Sequence, residues 1–210
     1  LCQFGGQTAL NLAPALAAAG VQVLGTDVDA IDAAERRERF DALLARLGLD
    51  RPAGAAAATA EEALAAAESL GYPLMVRPSY VLGGRAMQVV YDRDELAACL
   101  EEVLPAAGGR PLWLDRYIAG MELEVDAVSD GDVVVVPGIM RHVERAGVHS
   151  GDSIAVFPAP DLPPGVAREA ASAAVRIARA LGIRGLLNLQ LVYDGRRLYV
   201  LEVNPRSSRT

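Results

Sequence analysis

The sequence contains no lysine; all 20 of its basic residues are arginine. Any grip on phosphate must therefore come from guanidinium forks or backbone N–H groups rather than from a lysine ammonium. Cysteine is almost as scarce. Cys2 and Cys99 form neither a disulfide framework nor a metal motif, so reduced thiols in a cytosolic protein are expected. The two histidines, His142 and His149, have no third histidine or cysteine cluster to join, which argues against zinc. No apolar stretch is long enough to span a bilayer, and the opening Leu1–Gly6 lacks the basic start and apolar core of a signal peptide. A cytoplasmic location with no membrane partner is the expectation. The net charge of −7 argues against broad nucleic-acid binding, which needs a basic surface.

What is present is a chain of 210 residues, 52% hydrophobic, long enough for one large domain or two small ones. Its most informative stretch is Gly185–Arg206, GLLNLQLVYDGRRLYVLEVNPR. Two apolar runs flank Asp194–Gly195, which predicts a β-hairpin. Strand side chains alternate with period two, so Asn188 and Gln190 share a side, as do Glu202 and Asn204. Leu187, Leu189, Leu191, Tyr199, Leu201 and Val203 are expected on the other side, with Glu202 as the hairpin's one carboxylate on the polar face. A carboxylate among amide oxygens suits a hard divalent cation, and Arg206 beyond it suits phosphate. An ordinary one-sided hairpin shows the same alternation, so this stretch alone leaves both readings open. If Gln190 and Glu202 pair directly, their spacing of twelve calls for a loop of three or five residues; a two-residue Asp194–Gly195 turn would set them on opposite faces unless a bulge intervened.

Along the rest of the chain, Leu1–Phe4 reads as a strand end, Ala9–Ala19 as a helix and Val21–Gly25 as a short strand, and both ends of the sequence read as cut. Asp29–Leu47 is expected to be one helix with a charged, solvated run at 35–39. Thr59–Leu70 should be a helix with Thr59 as N-cap and Glu62 completing a capping box. Strands Leu74–Arg77 and Gln88–Tyr91 flank a glycine-bearing tip, 80–86, which by itself reads first as a plain hairpin turn and second as a mobile lid over phosphates. Asp94–Leu104 reads as a helix, Leu112–Tyr117, Glu122–Ser129 and Val133–Gly138 as strands, Ile139–Val156 as a shaped loop, and Pro163–Leu181 as an amphipathic helix.

Five motifs then carry a resemblance: QFGGQT (3–8), RRERF (36–40), RPSYVLGGRAM (77–87), AGVHSGDS (146–153), and NLQL with LEVNPR (188–206). In this order they resemble the large-chain family of carbamoyl phosphate synthetases, which are ATP-grasp ligases, and the second of that chain's two synthetase halves in particular. The resemblance implies an α/β (α+β) ATP-grasp fold. Residues 1–30 would be the tail of a preceding Rossmann-like subdomain and 31–210 the ATP-grasp domain, with a lid at about 53–118 and a metal- and phosphate-binding part at about 119–210. It implies that ATP phosphorylates carbamate to carbamoyl phosphate, within a synthesis that starts from bicarbonate, glutamine-derived ammonia and two ATP. A glutaminase small subunit and the other synthetase half would be partners.

The resemblance also implies roles for individual residues. Gln190, Glu202 and Asn204 would hold two Mg²⁺ or Mn²⁺ ions, with Glu202 bridging them. Arg37 would contact ATP, against the solvated-face reading of its helix. Arg77, Gly83 and Gly84 would belong to the lid. Arg116, Ile118 and Glu122 match positions that hold adenine and ribose, although Arg116 stands where many second halves carry histidine. Gly147, Val148, His149 and Ser150 would lie beside nucleotide and carbamate, and Asn188, Arg206 and Arg209 beside the transferred phosphoryl group, with His149 among the catalytic set. Other ATP-grasp carboxylate ligases, such as a biotin carboxylase or a purine-pathway carboxylase, are the alternative, although they usually place lysines on the nucleotide. A non-catalytic ATP-binding module is a further one.

Overall fold

The computed structural model describes residues 1–78, 87–147 and 153–208. Two units account for the chain: Leu1–Arg51 with Ala119–Thr210, and Pro52–Ile118. The first unit opens with α1 (Gly6–Ala18), α2 (Val28–Glu35) and α3 (Arg37–Leu47). The short strands expected on either side of α1 are not formed: residues 1–5 and 21–25 have no ladder partner among the described residues. The single helix expected over Asp29–Leu47 is two, broken at Arg36, whose ψ of 116° is extended. The break has a packing reason. Ile31 joins a small cluster with Leu10 and Ala13, whereas Ala34 and, beyond the break, Phe40, Leu43 and Leu44 enter the main core, and one straight helix presents one apolar stripe. Arg39 ties the pieces, 2.9 Å from Asp29 and 2.6 Å from Asp32.

The second unit is β1 (Gly54–Ala57), α4 (Ala60–Leu70), β2 (Leu74–Pro78), β3 (Gln88–Val90), α5 (Arg93–Ala107) and β4 (Leu112–Arg116). Its strands form an antiparallel sheet in the order β1-β4-β2-β3, and its core gathers Leu74, Val76, Leu96, Leu100, Leu112 and Leu114. The Thr59 cap forms at α4, its Oγ1 accepting from the Glu62 N–H at 3.1 Å, while Glu62 reaches one residue beyond the expected box, accepting from the Ala58 N–H at 2.7 Å. Helix α5 runs past the expected stop at Leu104, because Pro105 falls in its last turn, where the missing N–H removes a single bond.

Returning to the first unit, β5 (Met121–Ser129), β6 (Val134–His142), β7 (Ala155–Val156), α6 (Pro164–Leu181), β8 (Gly185–Tyr193) and β9 (Leu198–Asn204) complete the fold. The five strands are antiparallel in the order β7-β6-β5-β8-β9. Strand β6 extends through His142, so the expected loop from Ile139 is strand at its start and again at β7. Helix α6 begins with Pro164, whose φ is already helical, and ends at Gly182 in the left-handed region. Its buried stripe, Val166, Ala170, Ala173, Ala174, Ile177, Ala178 and Leu181, is mostly alanine, which seats the helix close on the sheet's leucines.

The β8–β9 hairpin does not have the odd loop that the Gln190–Glu202 spacing called for. Tyr193 pairs with Leu198, leaving four loop residues, and Asp194 Oδ1 accepts from the N–H groups of Arg196 and Arg197 at 2.7 Å each. A bulge corrects the register. Leu191 faces Val200, but Gln190 faces Glu202, so Leu201 is the extra residue. The apolar assignment on β9 shifts with it: Leu198, Val200 and Val203 enter the core, while Tyr199 stands opposite Val192 on the other face. The β5–β6 hairpin repeats the device, with Ser129 paired to Val134 around a four-residue Asp130–Gly131 loop and a register shift between Asp126 and Val128.

Candidate functional site

The polar face of the five-stranded sheet is two cross-strand rows, three residues each. Glu124, Gln190 and Glu202 stand in line across β5, β8 and β9, and Asp126, Asn188 and Asn204 form the next line. Side chains of directly paired residues share a face, so the register alone brings these six together. Glu122 and His142 extend the same side on β5 and β6. Glu202 is therefore not the sole carboxylate of this face, as the hairpin in isolation suggested; β5 contributes Glu122, Glu124 and Asp126.

Hydrogen bonds run through the rows. Asn188 Nδ2 donates to Glu124 Oε1 at 2.6 Å and to Asp126 Oδ1 at 2.9 Å. Asn204 Nδ2 donates to Glu202 Oε1 at 2.9 Å and lies 3.4 Å from Asn188 Oδ1. Arg206 is buried, its Nη2 donating to Asn204 Oδ1 and its Nη1 to the Ser207 carbonyl, each at 2.9 Å. At the other end His142 Nε2 lies 3.0 Å from Glu124 Oε2, and Ser153 Oγ lies 2.7 Å from His142 Nδ1. Ser208 Oγ donates to Glu124 Oε1 at 3.0 Å. The contact with Glu124 raises the pKa of His142 despite its burial, because the carboxylate favours the imidazolium. Burial raises those of Glu122 and Asp126, and Glu122 Oε2 is met by the Gly147 N–H at 3.2 Å.

The start of β8 and the segment after β9 are held from the N-terminal segment. Buried Gln3 Oε1 accepts from the Leu186 N–H at 2.5 Å, its Nε2 donates to the Pro205 carbonyl at 3.3 Å, and its own carbonyl accepts from the Ser207 N–H at 3.0 Å. Glycine suits position 185: its φ of 118° is one that L side chains rarely adopt, and a Cβ there would come within 2.6 Å of Gln3 Oε1 and displace it.

Of the residues singled out in the sequence, Asn188, Glu202, Asn204 and Arg206 are joined by hydrogen bonds, Gln190 by register, and Glu122 lies on the same face. Arg37 opens α3 with its side chain mostly buried, 3.9 Å from Asp41. Arg77, Arg116 and Ile118 belong to the other unit, where Arg77 pairs with buried Asp115 and Arg116 is exposed. Gly83, Gly84 and the lid tip 80–86, with Val148, His149, Ser150 and Arg209, lie outside the described residues. The sequence reading missed Glu124, Asp126, His142 and Ser153. A signal existed for the first two: Glu122, Glu124 and Asp126 alternate through MELEVDA as the hairpin polar residues do.

Among the described residues, no group of three His, Cys, Asp or Glu side chains is placed to hold a metal ion. Magnesium asks for less, since it takes one or two carboxylates and draws its other oxygens from phosphates and water. Gln190, Glu202 and Asn204 present that kind of oxygen set. Arg206 adds a buried guanidinium whose Nε has no partner among the described residues, which suits an anion.

The family profile for the carbamoyl-phosphate synthase L chain, ATP binding domain, matches residues 36–210. The carbamoyl phosphate synthase large chain of Thermomicrobium roseum is 58% identical over all 210 residues, and the chain spans 20% of that relative's length. Among solved structures, the biotin carboxylase–β,γ-ATP complex of Campylobacter jejuni superposes with a TM-score of 0.80 at 22% identity, over 99% of this chain and 48% of that one. The biotin carboxylase domain of the Hydrogenobacter thermophilus 2-oxoglutarate carboxylase, in complex with MgADP, ADP and bicarbonate, gives 0.78 at 22% identity, over 95% of this chain and 46% of that one. These likenesses show the fold, which is ATP-grasp. With the family profile covering residues 36–210, the chain belongs to the ATP-binding domain family of the carbamoyl-phosphate synthase large chain.

Proposed function

We propose that this chain is the carbamate-phosphorylating ATP-grasp domain of a carbamoyl phosphate synthetase large chain. The observation that carries the reading is the pair of cross-strand rows, with Arg206 bonded to Asn204 at the end of one of them, on a chain of this family. A carbamate oxygen attacks the γ-phosphorus of ATP, the bond to the bridging oxygen breaks, and carbamoyl phosphate and ADP leave. Such a reaction asks the protein mainly for positioning and charge stabilisation. Gln190, Glu202 and Asn204 would hold two magnesium or manganese ions. Bound there, the metal supplies neutralisation of phosphate charge. Arg206 donates to phosphoryl oxygens, Asn188 lies beside the transferred group, and Glu122 accepts from ribose hydroxyls. The nucleotide contacts implied for Arg37, Arg77, Gly83, Gly84, Arg116, Ile118, Gly147, Val148, His149 and Ser150, and the catalytic roles for His149 and Arg209, belong to the same proposal. So do the partner glutaminase subunit, the other synthetase half and a cytoplasmic location.

The test is ADP and carbamoyl phosphate formation by the full-length protein, with carbamate, bicarbonate, biotin or aminoimidazole ribonucleotide as acceptor. Carbamate-dependent release of both products supports the reading. ADP release dependent on biotin or the purine precursor would assign a different carboxylate ligase, and ATP binding without turnover a non-catalytic module.

A further inference from the structure

Glu124 is the most enclosed carboxylate of the polar face, 1% exposed, and three side chains converge on it. Asn188 Nδ2 and Ser208 Oγ reach Oε1 at 2.6 and 3.0 Å, and His142 Nε2 reaches Oε2 at 3.0 Å. His142, 3% exposed, is fixed in turn by Ser153 at 2.7 Å. A buried carboxylate costs free energy unless it is paired and hydrogen-bonded, so an ordinary core would place an apolar residue here. Its partners suggest a purpose. The Asn188 amide can rotate about its last side-chain torsion, and both of its N–H groups are taken up, by Glu124 and Asp126. That leaves Oδ1 facing Asn204, whose own amide reaches Glu202. The orientation of Asn188 is thus imposed from β5 and β6, strands that carry none of the residues proposed to hold the metal.

We propose that Glu124, braced by His142, is a positioning residue that sets the side-chain orientation of Asn188 for phosphoryl transfer. This rests on the reading of Asn188 as a neighbour of the transferred group. A neutral amide at position 124 offers one acceptor oxygen instead of two, so either Asn188 and Ser208 or His142 must face an N–H₂ group. Outer partners of this kind commonly change activity by about 10- to 100-fold while leaving the directly acting groups in place.

The experiment is a double-mutant cycle in the full-length protein, with Glu124→Gln, Asn188→Ala and the pair. Glu124→Gln should lower kcat for carbamate-dependent ADP release by about 10- to 100-fold and leave KM for ATP within about twofold. The double variant should be no slower than Asn188→Ala alone, because Glu124 acts through Asn188. Independent, multiplying losses overturn the inference while leaving the proposed function standing. If Glu124→Gln fails to fold, His142→Ala and His142→Gln take its place. The glutamine keeps an N–H donor for Glu124 and should recover most of the kcat that the alanine loses; equal losses overturn the inference.

A full-length protein with no carbamate-dependent turnover refutes the functional reading instead. The inference is then judged on an isotope-labelled chain by nuclear magnetic resonance. The Asn188 side-chain amide protons should exchange slowly in the unmodified chain and fast in Glu124→Gln. Unchanged exchange overturns it.

Discussion

The two faces of the β7-β6-β5-β8-β9 sheet are made from alternate residues of the same strands and are held by different forces. On one face Leu123, Val125, Leu187, Leu189, Leu191, Val200 and Val203 pack against the alanine stripe of α6. Burial of apolar area stabilises that face, and it tolerates little change in volume. On the other, Glu122, Glu124, Asp126 and Glu202 crowd together, and burial pushes the Glu122 and Asp126 carboxyls up from their usual range. This face works against stability and is organised by hydrogen bonds. The contrast teaches that a strand's alternation assigns a residue to a side, while the role of that side depends on which strands lie next to it.

The largest effect that would sharpen the contrast is on chemistry. Glu202→Gln keeps the size of the side chain and removes its charge. Metal-dependent ADP release by the full-length protein should fall by about 100-fold or more, while the melting temperature holds or rises. Near-normal turnover at ordinary magnesium would falsify a metal role for Glu202. On the opposite face the effects should reverse. Leu189→Ala, fully buried beneath α6, should cost about 2–5 kcal/mol in denaturant unfolding. A loss below 1 kcal/mol would mean that the apolar face is not the main source of stability.

Two smaller effects probe the charges. His142 has its pKa raised in the folded state, so its pairing with Glu124 stabilises fully below the unfolded value of 6.5 and less as pH climbs through the folded value. The stability gap between the unmodified chain and His142→Gln should therefore narrow from about pH 6 to pH 9; a gap that widens would reverse the assigned sign. Asp126 is also raised, by burial, and its charged form is the disfavoured one. Asp126→Asn should be slightly more stable than the unmodified chain at pH 7 and lose that advantage near pH 4, a small difference measurable by paired thermal melts.

Much of the fold could be read from local pattern. The Thr59 cap, the end of α6 at Gly182, and the Asp-Gly loops at 130 and 194 act within a few residues of themselves, and each falls in the stretch that its chemistry marks. The hairpin half of the site was legible for the same reason, through the alternation of Asn188 with Gln190 and of Glu202 with Asn204. The break at Arg36 was not, since helix propensity and charge pattern are continuous across it and the bend depends on what each piece packs against.

What the sequence by itself determined is this local layer: the types of most elements, several of their ends, and the side of the strand on which each polar residue lies relative to its near neighbours. Only the tertiary structure decided the pairing of Gln190 with Glu202, because a four-residue loop and a bulge at Leu201 offset each other, and period-two counting sees neither. It alone placed β5 beside β8, which brought Glu124 and Asp126 to Asn188 across more than sixty residues of chain and gave His142 its partner. The physical reason is range. Backbone geometry and capping act over one turn or one pleat, whereas register and strand neighbours are set by burying the apolar face as a whole.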